Sequence, residues 1–184
     1  MTLQDLLVQK KTAILKRWFN KIIKTYPPDA SKFLKDVRDP FANPVGSAVS
    51  QGIEGLYTGL VEGTTSEEAS SFLDHIIRVR AIQEFSPSEA VGFVFFLREA
   101  IREELKKEAG DERISRELSA LDSRIDGLAL LSFDIYMKCR EKLYELKSNE
   151  LRNRTLKLLE RSDYVSGISE QDEDSESGNN NGST

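Results

Sequence analysis

The chain is poor in the residues that most often carry chemistry: one cysteine, Cys139, one histidine, His75, and one tryptophan, Trp18, in 184 residues. A lone thiol cannot close an intramolecular disulfide, and a lone imidazole cannot furnish a histidine-rich metal site. Both scarcities fit a reducing cytoplasm. Long hydrophobic runs are missing too. No window approaches the roughly 18 uninterrupted apolar residues of a membrane span, and the start, Met-Thr-Leu-Gln-Asp-Leu-Leu, has no cationic residue ahead of an apolar stretch. No membrane insertion is expected, and the expected location is cytoplasmic. There is no Gly-rich phosphate loop, paired-histidine motif or nucleophile elbow. Carboxylates are plentiful, but they fall in helix first turns and on polar faces, where capping and solvation account for them. An ordinary enzyme is disfavoured, and no cofactor or metal is expected.

The 26 Lys and Arg against 31 Asp and Glu give a net charge of −5. Residues 163–184 hold six acidic side chains and no basic one, which leaves +1 on residues 1–162. The acidity therefore belongs to the tail. That segment is rich in Ser, Gly and Asn and has scarcely an apolar residue after Ile168, so it cannot offset its own ordering entropy and is expected to be disordered. Two stretches are basic, residues 1–26 at +5 and residues 137–162 at +4. A solvated helix face explains both. A sharper expectation is that the acidic tail folds back on these helices and competes with a partner. Nucleic-acid binding is not expected, because no aromatics interleave the cations and the body is nearly neutral.

What is present is helical periodicity. Leu3, Leu6, Leu7, Ile14, Leu15, Trp18, Phe19, Ile22 and Ile23 form one apolar stripe, and Tyr26-Pro27-Pro28 ends it. A short helical turn is expected over residues 31–37, with Phe33, Leu34 and Val37 inward. Asn43 is expected to cap a helix from Pro44 to about Glu62, with Pro44 at the first position. That helix carries Gly52, Gly55 and Gly59 on one side, forgoing roughly 3 kcal/mol of helix propensity against alanine, and close packing of a neighbouring helix is the favoured reason. Thr65 to Glu68 and Ser86 to Glu89 have capping-box spacing, the second opening a helix to about Glu108. Its Val91 to Leu97 run is apolar around the whole circumference, which implies other helices on all sides. From Glu112 no Pro or turn cluster interrupts the pattern until Ser162, giving one very long helix or two with a break near 147–149.

The composite expectation is an all-α fold: a single bundle of five or six helices, globin-like or four-helix-bundle-like, with a long C-terminal helix. Residues 1–162 form the helical domain and 163–184 the disordered acidic tail. At this length one core can bury roughly 70% of the unfolded surface. The thinning apolar pattern past Leu146 suggests a projecting helix, and a homodimer through it is expected.

The candidate site lies around the joint of residues 38–46, where two prolines bracket Phe41 and hold it between helices. Phe41, Asn43 and Gly46 shape this joint. Arg78 and Arg80, near the exit of the helix opened by Thr65, suit its dipole. If the free N–H groups at the Pro44 helix start face either arginine, an anion site forms between them. His75 is the one conceivable haem ligand, although a helix-surface histidine beside Asp74 is the commoner case.

Three stretches carry a resemblance: Trp18 with Tyr26-Pro27, the joint Asp39-Pro-Phe-Ala-Asn-Pro-Val-Gly46, and Arg78-Val-Arg80-Ala-Ile-Gln-Glu-Phe85-Ser-Pro-Ser-Glu-Ala90. Over about residues 1–150 the chain resembles the N-terminal domain of RsbRD-type RsbT co-antagonist proteins. The resemblance implies an all-helical, non-enzymatic input domain of bacterial stress signalling, acting through protein contacts. In multidomain members a STAS domain follows and engages the RsbT kinase; no STAS-like alternation of strands and helices follows residue 150 here, so a stand-alone regulatory or docking module is expected. The resemblance also suggests free-standing copies beside anaerobic respiratory genes, hence an accessory role at an electron-transfer complex as an alternative. A small-ligand or haem sensor is the other alternative.

Overall fold

The computed structural model describes the backbone of residues 2–36, 39, 41–63 and 65–176, and the side chains of these residues apart from 66, 160 and 162–176. Among the described residues there are six α-helices: α1 Leu3–Ile23, α2 Pro28–Leu34, α3 Pro44–Glu62, α4 Ser66–Ile82, α5 Pro87–Glu104 and α6 Glu112–Glu176. No strand occurs among the described residues. Met1–Arg140 forms one compact unit, and Glu141–Thr184 forms a second.

The helix starts follow from local chemistry. Thr2, Thr65 and Ser86 each close a capping box, and Asn43 accepts the N–H of Gly46 at the head of α3, where Pro44 needs no partner. Helix α2 begins at Pro28 and ends at Leu34, three residues earlier at each end than the periodicity suggests. Pro27 is the reason: it fixes the entry and lets Pro28 take the first helical position. Val37, Arg38 and Pro40 of the joint lie outside the described residues.

The core of the first unit is continuous from α1 through α6. It is built on Ile14, Trp18, Ile22, Ile53, Leu73, Ile76, Phe93, Leu97 and Ile125, all nearly inaccessible. Two polar tips in this core are satisfied: the Trp18 indole donates to Phe93 O at 2.7 Å, and the Tyr57 hydroxyl donates to Leu7 O at 2.9 Å. The glycine side of α3 is a packing device, as the sequence suggests. A Cβ on Gly52 would lie 2.8 Å from Ile76 Cδ1, and one on Gly55 would strike the Phe72 ring, so α4 crosses α3 at close range.

Helix α5 corrects one expectation. Val91, Phe93, Val94 and Leu97 are buried, but Phe95 is exposed and a side chain at Gly92 would meet open space. Two faces of the run are covered and a third lies open, with the Arg98 guanidinium 5.7 Å from the Phe95 ring centroid. The helix also stops at Glu104, short of Glu108, and Asp111 then caps α6 by accepting from Arg113 N and Ile114 N. Helix α6 is unbroken at 147–149 and runs to Glu176; residues 177–184 lie outside the described residues.

Candidate functional site

Asn43 organises the joint. It is 1% exposed. Its Oδ1 accepts from Gly46 N at 2.8 Å, and its Nδ2 donates to Phe33 O at 3.1 Å, Leu34 O at 3.0 Å and Asp36 O at 2.8 Å. One side chain thus caps the start of α3 and binds carbonyls at and just beyond the end of α2. Gly46 fits because any Cβ there would strike Leu34 O and the Asn43 amide. Asp39 Oδ1 accepts from Phe41 N at 2.9 Å, which turns the chain. Phe41 itself is 97% exposed. Restricted flanks fixed its backbone without supplying a pocket, so the joint does not hold it against the core. Beside it lies an open groove of about 580 Å³ lined by Lys32, Phe33, Asp36, Asp39, Ala42 and Asn43.

The two arginines part company. Arg78 is exposed and pairs with Asp74 one turn away at 2.8 Å. Arg80 is 0% exposed. Its Nη1 donates to Glu89 O at 2.7 Å and its Nη2 to Thr25 Oγ1 at 2.6 Å. Its guanidinium carbon lies 5.3 Å from the Tyr26 ring centroid, 4.6 Å from that of Phe85 and 5.6 Å from that of Phe93. The charge is met by a carbonyl, a hydroxyl and three ring faces, and burial pushes its pKa down. Glu84, at φ 61, holds the left-handed turn after α4, and Phe85 N then donates back to Arg80 O at 3.2 Å. That return brings the Phe85 ring to Arg80. The expected anion site is therefore not assembled from these groups: the Gly46 N–H is occupied by Asn43, Arg78 by Asp74, and Arg80 is sealed inside. Thr25, Tyr26, Phe85 and Phe93 were not foreseen as its partners, although Arg80 sits seven residues after Leu73, on the apolar stripe of α4.

His75 is exposed on α4, and its Nδ1 lies 2.7 Å from Ser71 O. Cys139 is half-buried with its thiol pKa raised, chiefly by burial, the opposite of an activated thiolate. No group of three or more His, Cys, Asp and Glu that could hold a metal occurs among the described residues.

The basic face of α1 is largely neutralised from α5. Arg17 pairs with Glu103 at 2.7 Å and Glu104 at 2.6 Å, and Lys21 with Glu99 at 2.8 Å and Glu103 at 3.0 Å. Just beyond α5, Glu108 pairs with Lys10 at 2.9 Å. These contacts leave less free charge on α1 for an acidic tail than its +5 suggests. Hydrogen bonds from Lys21 and Lys10 hold the carboxyls of Glu103 and Glu108 below their ordinary 4.5. A carboxylate with a lowered folded pKa adds stability above its unfolded pKa and loses it as pH falls. The melting temperature should accordingly decline as pH is taken below about 4.5, and Lys21→Met should flatten that decline in a thermal scan against pH. An unchanged acid limb in the variant would remove these pairs from the account.

The second unit exposes its apolar side chains. In the part of α6 from Glu141 onward, Tyr144, Leu146, Leu151, Leu158 and Leu159 are all more than half exposed. No described helix is long and apolar enough to cross a membrane.

The fold is an all-α bundle whose last helix is long. The profile of the RsbT co-antagonist protein rsbRD N-terminal domain matches residues 12–151, and the chain belongs to that family. It is also 26% identical over 166 residues to an uncharacterized protein of Archaeoglobus fulgidus, covering 86% of this chain and 97% of that one. No solved structure matches it.

Proposed function

We propose that this protein is a non-enzymatic signalling input domain that works by binding another protein. The observation that carries the reading is the row of large apolar side chains exposed on the second unit, with Leu151 and Leu158 at 64% and 65% exposure. Monomeric proteins seldom leave a contiguous apolar row uncovered, and one rimmed by charge marks a contact surface. Membership in a family of regulatory domains supports the same reading. Phe41 and the half-covered Phe33 beside the joint offer a second, smaller contact point.

The test is site-specific photo-crosslinking in native cells. A photoreactive residue at Leu151 should trap a discrete partner protein, whereas the same residue at Val8, equally exposed on α1, should not. Identical crosslinking patterns at the two positions, or none at Leu151, would refute the proposal.

A further inference from the structure

The exposed row on the second unit has a period of seven. Tyr144, Leu151 and Leu158 recur at that interval. Four residues after the first two of these come Ser148 and Thr155, and three residues after each come Lys147, Arg154 and Arg161. In a heptad frame the apolar row takes the d positions, Glu141, Ser148 and Thr155 take a, and the cations fill every g. The Thr155 hydroxyl donates to Leu151 O at 3.0 Å, so its polar tip is satisfied within its own helix and does not oppose burial. Arg154 is tethered to Glu150 at 2.6 Å, an exposed pair that costs little to exchange. The e positions are Glu145, Arg152 and Leu159.

Self-pairing of this seam meets cations with cations. In a parallel dimer the g residue of one helix faces the following e residue of the other, which sets Lys147 against Arg152 and Arg154 against the uncharged Leu159. In an antiparallel dimer g faces g, which sets Lys147, Arg154 and Arg161 against one another, and Arg152 meets its own copy across e. Like charges at e and g select against a pairing, whereas opposite charges select for it. Small residues at a leave holes that a second copy, carrying the same small residues, fills poorly.

We infer that residues 141–161 are a heterotypic coiled-coil docking helix whose partner is a helix of another protein, with large apolar residues at seven-residue spacing flanked by a row of carboxylates. The inference rests on the protein-docking reading above and replaces the homodimer expected from the sequence. Twenty-one residues of helix span about 31 Å, three heptads, enough for a specific but reversible seam.

The experiment uses the full chain and two synthetic probe helices of about four heptads. Both carry Leu and Ile in the seam; one has glutamate at every e and g, the other lysine. Fluorescence anisotropy should show the glutamate helix bound at least about tenfold tighter, with the preference shrinking as salt rises. Arg154→Glu combined with Arg161→Glu should invert the preference. Leu151→Asn with Leu158→Asn should abolish binding of both probes while the melting temperature of the protein stays put, because neither leucine is buried. Equal binding of the two probes, or binding of neither, overturns the inference. So does a homodimer in native mass spectrometry that the double asparagine variant dissolves. A partner trapped at Leu151 together with no preference for the acidic probe would leave the docking reading standing and remove only the heterotypic acidic seam.

Discussion

Arg80→Ala should lower the unfolding free energy by about 3 kcal/mol. The side chain is wholly buried, fills the space between three rings, and bonds to Glu89 O and Thr25 Oγ1. Removing it opens a cavity and withdraws two donors. What makes the site informative is the comparison with Arg80→Met and Arg80→Lys. A buried cation without a carboxylate has given up its hydration for weak compensation, and Arg80 Nε and the Tyr26 hydroxyl are left without a well-formed hydrogen bond. Methionine keeps most of the volume, suits the aromatic cage and carries no charge, so its cost should be under about 1.5 kcal/mol. Lysine keeps the charge but loses the planar fork and the ring stacking, and should cost about as much as alanine. Urea unfolding at neutral pH, with the denaturant slope checked for constancy, measures all three. A methionine variant no more stable than the alanine one would show that the charge, and not the packing, holds α1, α4 and α5 together.

The same residue shows how far the sequence could be read. Its place on the α4 stripe, one heptad after Leu73 and four residues after Ile76, was legible; burial was therefore legible. Helix-dipole reasoning instead sent it to the surface, because it considers one helix at a time. The convergence of Tyr26, Phe85 and Phe93 depends on how three segments meet, and no local pattern encodes that. Phe41 failed in the opposite direction. Two flanking prolines restrict a backbone without providing neighbours, and the ring stands in solvent. The caps at Thr65, Ser86 and Asn43 were legible because capping is chemistry within four residues. The continuity of α6 was half legible: Lys147, Ser148 and Asn149 are indifferent helix formers, yet each costs only about half a kcal/mol, too little to break a helix supported on both sides. The glycine side of α3 was read correctly as packing, since a run of small residues on one face has few other structural uses.

Asn43→Asp should be nearly as damaging as the loss of Arg80, and its pH dependence is the sharper observation. The substitution is isosteric. It turns an amide that donates to Phe33 O, Leu34 O and Asp36 O into a carboxylate that can only repel them, in a site that is 1% exposed. The bond to the Gly46 N–H survives, so the head of α3 keeps its cap and the damage falls on the end of α2. A buried carboxylate facing three carbonyls is disfavoured in its charged form, which raises the folded pKa above the unfolded value of about 3.9. A raised acid pKa means that the variant is least impaired below the unfolded value and loses stability as pH rises through the folded one. The gap between wild type and variant should therefore be small near pH 3.5 and widen to about 3 kcal/mol by neutral pH. Wild type runs the other way at the acid end, where the α1 carboxylate pairs are lost, so the two stability curves should converge on acidification. Asn43→Ala provides the control: it removes both the donors and the acceptor, costs about 2 kcal/mol, and adds no pH dependence of its own. Parallel curves for wild type and Asn43→Asp would mean that the α2 carbonyls turn away from residue 43 in solution, and the joint would then be held by the α3 cap alone.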